Sequence, residues 1–261
     1  MVMRDIIPNR MITLSTPFAR GGYAKIGGRA TIVKLEETGS LAVFSPVALT
    51  DDVRSKIATL GDRVRYIAAT DIEHHIFVGP WAKAWPEAEV IGVEGLPEKR
   101  EKDEATKGTR FAHIFTASNK RDVRISPEFD REFDYEYVDS HVNRELVFYH
   151  RPTATMIEAD LIMNLPAHEQ YSRSEESPTS GILTRIATMV MNTSGDALWQ
   201  KRMMWYLASS KNRSAFNESV ARMKRWRLAR IVPCHGEVIE SDAQGIFDRI
   251  TQWHREQDTG K

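Results

Sequence analysis

Val64-Arg65-Tyr66-Ile67-Ala68-Ala69-Thr70-Asp71-Ile72-Glu73-His74-His75 is the stretch on which the reading of this chain turns. Its first six residues form a short β-type run, which ends directly in a cluster of carboxylates and imidazoles. Side chains at a strand end sit where loops from distant parts of a chain converge. Two later stretches repeat the arrangement. His141 and Asp160 flank the runs Glu145–Tyr149 and Thr155–Ala159, and Pro233-Cys234-His235-Gly236 follows the run Leu228–Val232. Imidazole and carboxylate are the ligands that borderline and hard divalent ions select, and catalytic sites leave a position open for water. The candidates are Asp71, Glu73, His74, His75, His141, Asp160 and His235. A single His-His pair, or one Asp at a strand end, is more often structural. Their conjunction at three strand ends predicts a buried divalent-metal site.

Outward from these points, Met11–Thr16, Ala30–Leu35 and Leu41–Ser45 alternate as an opening β-meander, with the turn Glu37-Thr38-Gly39-Ser40 between the last two. Thr50-Asp51-Asp52 signals a helix start before Val53–Leu60. Trp81–Trp85 reads as a short helix stopped by Pro86, and Glu89–Val93 as a strand. Residues 97–110 are almost wholly polar and read as an exposed helix or a loop. Glu132–Val138 alternates as a strand. Gln170–Ser180 has the lowest hydrophobicity and suits a lid or a surface loop. Helices are expected over 181–191, 196–209 and 214–227, with Asp196 and Ser214 as caps. A last strand, Leu228–Val232, and a closing helix, Ile246–His254, complete the pattern. Strands first, then strands alternating with helices, predict an α/β fold with sheets covered by outer helices.

Composition narrows the class. Charged residues make up 28% of the 261, with 36 basic against 36 acidic, so no whole-chain field attracts nucleic acid or an anionic membrane. The basic run Arg222–Arg227 reads as a solvated helix face. A single cysteine excludes an internal disulfide framework and fits a reducing compartment. No apolar run approaches the ~20 residues of a membrane span, and Asp5 interrupts the start where a secretory signal would lie. A soluble cytoplasmic protein with a small-molecule substrate is expected, with no nucleic-acid or membrane partner; oligomeric state stays open.

Three segments carry a resemblance to a known family. Ser140-His141-Val142-Asn143-Arg144-Glu145-Leu146-Val147-Phe148-Tyr149 resembles the second histidine motif of the metallo-β-lactamase superfamily. Ala159-Asp160-Leu161 is similar to its bridging-aspartate segment, and Ile231-Val232-Pro233-Cys234-His235-Gly236 to its terminal histidine motif. The resemblance implies a four-layer αββα sandwich over 1–261, one domain with a helical insertion around 165–227, and one or two metals at one edge. It looks closest to an uncharacterised branch with a His-His pair before an aromatic-rich helix, here Phe77–Trp85. The first motif departs from the family's His-x-His-x-Asp-His. In one register His74-His75 matches the Asp-His, leaving Thr70 and Ile72 where histidines belong. In the other, Asp71, Glu73 and His75 take the alternating positions.

What the resemblance implies is a hydrolase in which a metal-activated water attacks an ester, lactone, thioester or amide carbonyl. Zn is the expected ion, with Fe or Mn as alternatives. His75 and His235 would hold the ion, Asp160 would ligate it or orient the nucleophile, and His141 would complete a site or bind the oxyanion. Arg151 and Tyr206 are expected at the substrate. Two histidines and one carboxylate also suit a mononuclear iron oxygenase. A catalytically silent binding protein with a degenerate site is the reading from outside enzymology.

Overall fold

In the computed structural model, which describes residues 1–255, the chain opens as an antiparallel meander. β1 (Val2–Ile7) pairs with β2 (Met11–Thr16), β2 with β5 (Gly28–Lys34), and β5 with β6 (Leu41–Phe44). A small ribbon of β3 (Ala19–Arg20) and β4 (Ala24–Lys25) bridges β2 and β5. The sheet then continues in parallel through β7 (Val64–Ala68), β8 (Glu89–Val93) and β9 (His113–Phe115). Helices α1 (Asp51–Ala58), α2 (Val78–Ala84) and α3 (Leu96–Glu101) lie in the crossovers, giving the strand order β1-β2-β5-β6-β7-β8-β9.

α4 (Pro127–Glu132) leads into a second sheet of β10 (Phe133–Val138), β11 (Glu145–His150), β12 (Thr155–Ile157) and β13 (Arg230–Val232). Between β12 and β13 come α5 (His168–Tyr171), α6 (Ile182–Val190), α7 (Leu198–Met203) and α8 (Arg213–Met223). A π-helical turn, Met204–Ala208, follows α7 directly. α9 (Ala243–Ile250) and α10 (Gln252–Arg255) close the described chain.

Alternation along β11 makes the sandwich. Phe148 points inward and packs with Phe44 of β6 at a ring distance of 4.7 Å, beside Phe129 and Phe133. Its neighbours Val147 and Tyr149 point the other way, into a cluster with Phe216 and Val220 of α8 and Phe247 of α9. On the far side of the first sheet, Val53 and Ile57 of α1 and Val78 and Trp81 of α2 cover β-strand side chains. The layers therefore run helix, sheet, sheet, helix.

Local chemistry agrees with most element starts. The Thr50 side chain accepts from Val53 N, and Ser126 from Phe129 N. Asn212, rather than the expected Ser214, caps α8 by accepting from Ala215 N. The polar 97–110 stretch divides into α3 and following turns. Sequence pattern alone does not mark β1, β9 or the β3–β4 ribbon. β1 carries Arg4-Asp5 at its centre and β9 is three residues long, so neither shows an apolar pattern. Pairing with β2 and β8 supplies their order instead. No helix among the described residues is long and apolar enough to cross a membrane.

Phe148→Ala would leave a cavity between the sheets that neighbouring rings fill only partly. A loss of about 3–5 kcal/mol is expected in denaturant unfolding. Tyr206→Ala, at a 71% exposed position, is expected to stay within about 0.5 kcal/mol of wild type.

Candidate metal centre

Just beyond β7, the Asp71 carboxylate organises the turn that carries the histidine pair. Its Oδ1 accepts from Glu73 N and His74 N, each at 2.7 Å, and lies 3.0 Å from His74 Nδ1. A turn wrapped on a buried carboxylate sends consecutive side chains in different directions. His74 points into the rim of the sandwich. Glu73 turns out to Lys99 Nζ at 2.9 Å. His75 turns toward the buried Arg100, whose Nη1 donates to His75 O and lies 3.2 Å from His75 Nδ1.

After β12 a second carboxylate is held as firmly. Glu145, at the start of β11, accepts from Ala159 N at 2.8 Å and Asp160 N at 3.1 Å, and so fixes the backbone of the Asp160 loop. Asn143 Nδ2 donates to Asp160 Oδ2 at 2.6 Å. Asp160 Oδ1 is buried with no hydrogen-bond donor of its own.

The His235 turn is clamped from the first sheet. Arg29 of β5, 2% exposed, donates through Nη1 to Pro233 O and Gly236 O, both at 2.7 Å. Gln170 of α5 donates to Cys234 O at 2.8 Å and accepts from Gly236 N at 2.9 Å. Gly236 has φ +84, and a Cβ there would lie 2.1 Å from Asn164 O, so glycine alone fits. His235 Nδ1 donates to Gly27 O at 2.6 Å.

These three supports bring His74, Asp160 and His235 together, with ligand atoms all within 4.8 Å of one another. His74 Nε2 and His235 Nε2 are 3.1 Å apart, and His235 Nε2 is 3.2 Å from Asp160 Oδ1. A carbonyl only accepts, so the bond to Gly27 O places a proton on His235 Nδ1. The Asp71 carboxylate does the same for His74 Nδ1. With both Nδ1 protons fixed, the two Nε2 atoms face each other, an arrangement that needs a positive charge between them, either a proton on one ring or a metal ion. Ligand atoms around a tetrahedral ion at ~2.0–2.1 Å lie roughly 3.3 Å apart. Two neutral imidazoles of preset tautomer with one carboxylate is a donor set that fits a divalent ion.

Electrostatics point the same way. Burial disfavours a charged His74, but the Asp71 and Asp160 carboxylates outweigh it and raise its pKa to about 10. Burial likewise opposes the Asp160 carboxylate, and the facing histidines overcome it and hold that group far below its usual range. Glu145 is pushed up to about 8 by burial and by the charges of Asp160 and Asp71. A proton on His74 takes the place that a metal cation would fill.

The other expected residues lie elsewhere. His75 does not join the group, since Arg100 holds it and burial with Lys99 and Arg100 lowers its pKa. Glu73 is engaged by Lys99, and Asp71 acts on His74 from behind through Oδ1, its Oδ2 buried without a partner. His141 is buried, accepts from Asn143 N at 3.3 Å and stays neutral through burial. Arg151 precedes β12 whereas Asp160 follows it, so they occupy opposite ends of the strand. Arg151 binds Asp134 and Asp130 O. Tyr206, in the π-helical turn, does not line the cavity over the three ligands. That cavity, of about 390 Å³, is walled by Pro17, Phe18, Pro46, Val47, Ile76 and Phe77.

Residues 22–206 match the family described as "Domain of unknown function (DUF4336)". The chain belongs to the DUF4336 family. No curated protein matches the sequence. Among solved structures, a metallo-β-lactamase from Pontibacter korlensis is similar, with a TM-score of 0.58 and 13% identity over 98% of this chain and 99% of that one. A Hirschia baltica metallo-β-lactamase gives 0.58 and 10% identity over 97% and 98%. A flavo di-iron protein from Thermotoga maritima gives 0.59 and 12%, covering 97% of this chain and 61% of that one. The fold of this DUF4336 protein is that of the metallo-β-lactamase superfamily.

Sequence reasoning missed the supports. Glu145 opens an otherwise apolar strand, and Arg29 lies within a buried one, so both were visible as charges in the wrong place. Asn143, Gly27 and Glu169 carry no such signal. Burial alone would raise Glu169, but Arg29 and a hydrogen bond from Ser15 outweigh it and hold the carboxyl below its ordinary range. A depressed folded pKa adds stability above the unfolded value and loses it as pH falls through the folded one. Glu169→Gln is therefore expected to cost about 1–3 kcal/mol at pH 7. In urea titrations the cost should fade as pH drops below the ordinary 4.5.

Proposed function

We propose that this DUF4336 protein is a metal-dependent hydrolase that cleaves a carbonyl substrate, an ester, lactone, thioester or amide. The observation that carries the reading is the preset tautomer of His74 and His235, whose Nε2 atoms face each other at 3.1 Å beside Asp160 Oδ1. These three residues would hold one divalent ion, most simply Zn. Such an ion, when bound, supplies a Lewis acid that brings the pKa of a coordinated water to about 7.

The protein's own groups do the rest. Asp71 and Gly27 O retain the Nδ1 protons, which keeps both imidazoles in one orientation. Asn143 holds one oxygen of Asp160 and leaves the other facing the histidines. Phe18, Ile76, Phe77 and the 46–48 loop line the cavity and would shield a seated substrate carbonyl from bulk water, a setting in which fixed charges act more strongly. His141 accepts from the N–H of Asn143, whose side chain holds Asp160, and is assigned a supporting role there.

The same two histidines and one carboxylate suit mononuclear iron, the donor set favoured by non-haem oxygenases. Metal analysis of protein purified without added metal separates the two. About one equivalent of zinc supports the hydrolase, and stoichiometric iron supports the oxygenase. His74→Ala, Asp160→Ala and His235→Ala are each expected to fall below about 0.2 equivalents, because an incomplete shell loses the ion. His75→Ala is expected to keep its metal. Retention of full metal by all three variants would defeat the assignment. Full occupancy with no hydrolysis of any of the four substrate classes would leave a binding protein.

A further inference from the structure

The cavity over the three ligands is asymmetric in a way that names its substrate class. One wall comes from the end of β2 and the start of β3, with Pro17, Phe18 and Arg20. The opposite wall comes from the loop after β7, with Ile76 and Phe77. In the sheet, β2 and β7 are separated by β5 and β6. Three strand spacings put the parent strands roughly 14 Å apart. His74, Asp160 and His235 lie on the floor.

The walls differ in chemistry. Ile76 is 58% exposed and Phe77 37%, so two large apolar side chains stand in solvent at the mouth. Exposed apolar groups that rim a cavity mark a binding surface more often than an isolated exposed leucine does. Phe18 on the facing wall is 45% exposed as well, so both walls offer apolar surface; what sets the facing wall apart is Arg20. The other charges of the lining are engaged: Arg29 by Glu169 and two carbonyls, Glu73 by Lys99. Arg20 alone among the lining cations and carboxylates has neither ion pair nor side-chain hydrogen bond among the described residues. An arginine in that state is poised for a carboxylate, which its fork binds bidentately.

Resting on the hydrolase reading above, we propose that the substrate is an acyl compound with a medium-length alkyl arm and a leaving group that carries a carboxylate. The arm lies on Ile76 and Phe77, the carboxylate on Arg20, and the scissile carbonyl over His74, Asp160 and His235. For an N-acyl amino acid the C–N bond breaks, the water oxygen bonds to the acyl carbon, and nitrogen gains a proton. A fatty carboxylate and a free amino acid result, with no oxidant or further reactant.

N-octanoylglycine carries all three features. N-acetylglycine lacks the arm, and N-octanoylglycinamide lacks the charge. Each is titrated calorimetrically into the full chain, zinc-loaded and metal-stripped, and glycine or glycinamide release is followed separately. N-octanoylglycine is expected to bind at least tenfold tighter than either control, given roughly threefold to fourfold per buried methylene. Arg20→Ala should erase the preference for the acid over the amide. Ile76→Ser should cut the preference for octanoyl over acetyl at least threefold. Both positions are exposed, so these variants fold. Equal affinities, absent binding, or preferences unchanged in the variants overturn the proposal. Binding preferences without release would overturn the hydrolase reading and leave this recognition in place. Release without the preferences would do the reverse.

Discussion

Two imidazole nitrogens held 3.1 Å apart, each with its proton on the far side of the ring, set the condition that the surrounding structure meets. Neither ring can turn to relieve the repulsion. His74 is tied to the buried Asp71 carboxylate and His235 to Gly27 O. A positive charge between them satisfies both lone pairs and the free oxygen of Asp160 together. Much of the fold around the rim serves to keep that geometry in place.

The cost of this arrangement is visible in the carboxylates. Asp71, Glu145, Glu158 and Asp160 are all buried, in a region where like charges oppose one another. Glu145 and Glu158 respond by rising in pKa through burial and the charges of neighbouring carboxylates, and both accept from backbone N–H groups, Glu158 through Oε2 alone. Asp160, facing histidines, stays ionised. Buried charge without a partner is strongly unfavourable, so the two protonatable glutamates act as neutral scaffold while Asp160 carries the charge. The clamp from Arg29 does the corresponding work for His235, joining the first sheet to the final loop through Pro233 O, Gly236 O and Glu169.

The sandwich itself was legible because its cause is local. Leu41–Phe44, Val64–Ala68, Glu89–Val93 and Glu145–His150 show β-type runs where strands form, and Thr50 and Asp196 stand at helix starts. The strand-end positions of His74, Asp160 and His235 were legible for the same reason. β1 and β9 were not, since a sheet partner orders a strand of any composition. Arg151 sits in the turn before β12, at the opposite end of that strand from Asp160, where Asp134 is its partner.

By itself the sequence determined that strand ends would carry imidazoles and carboxylates, because alternation and turn chemistry act between near neighbours. Which of two adjacent histidines faces the site was decided by the tertiary structure alone. Asp71 wraps the turn so that His74 points in, and Arg100, from a helix twenty-five residues on, draws His75 away. The tautomers were decided there too, since Gly27 O meets His235 across 208 positions of chain. Contacts of that range follow from how the sheets stack, and no pattern in the local sequence encodes them.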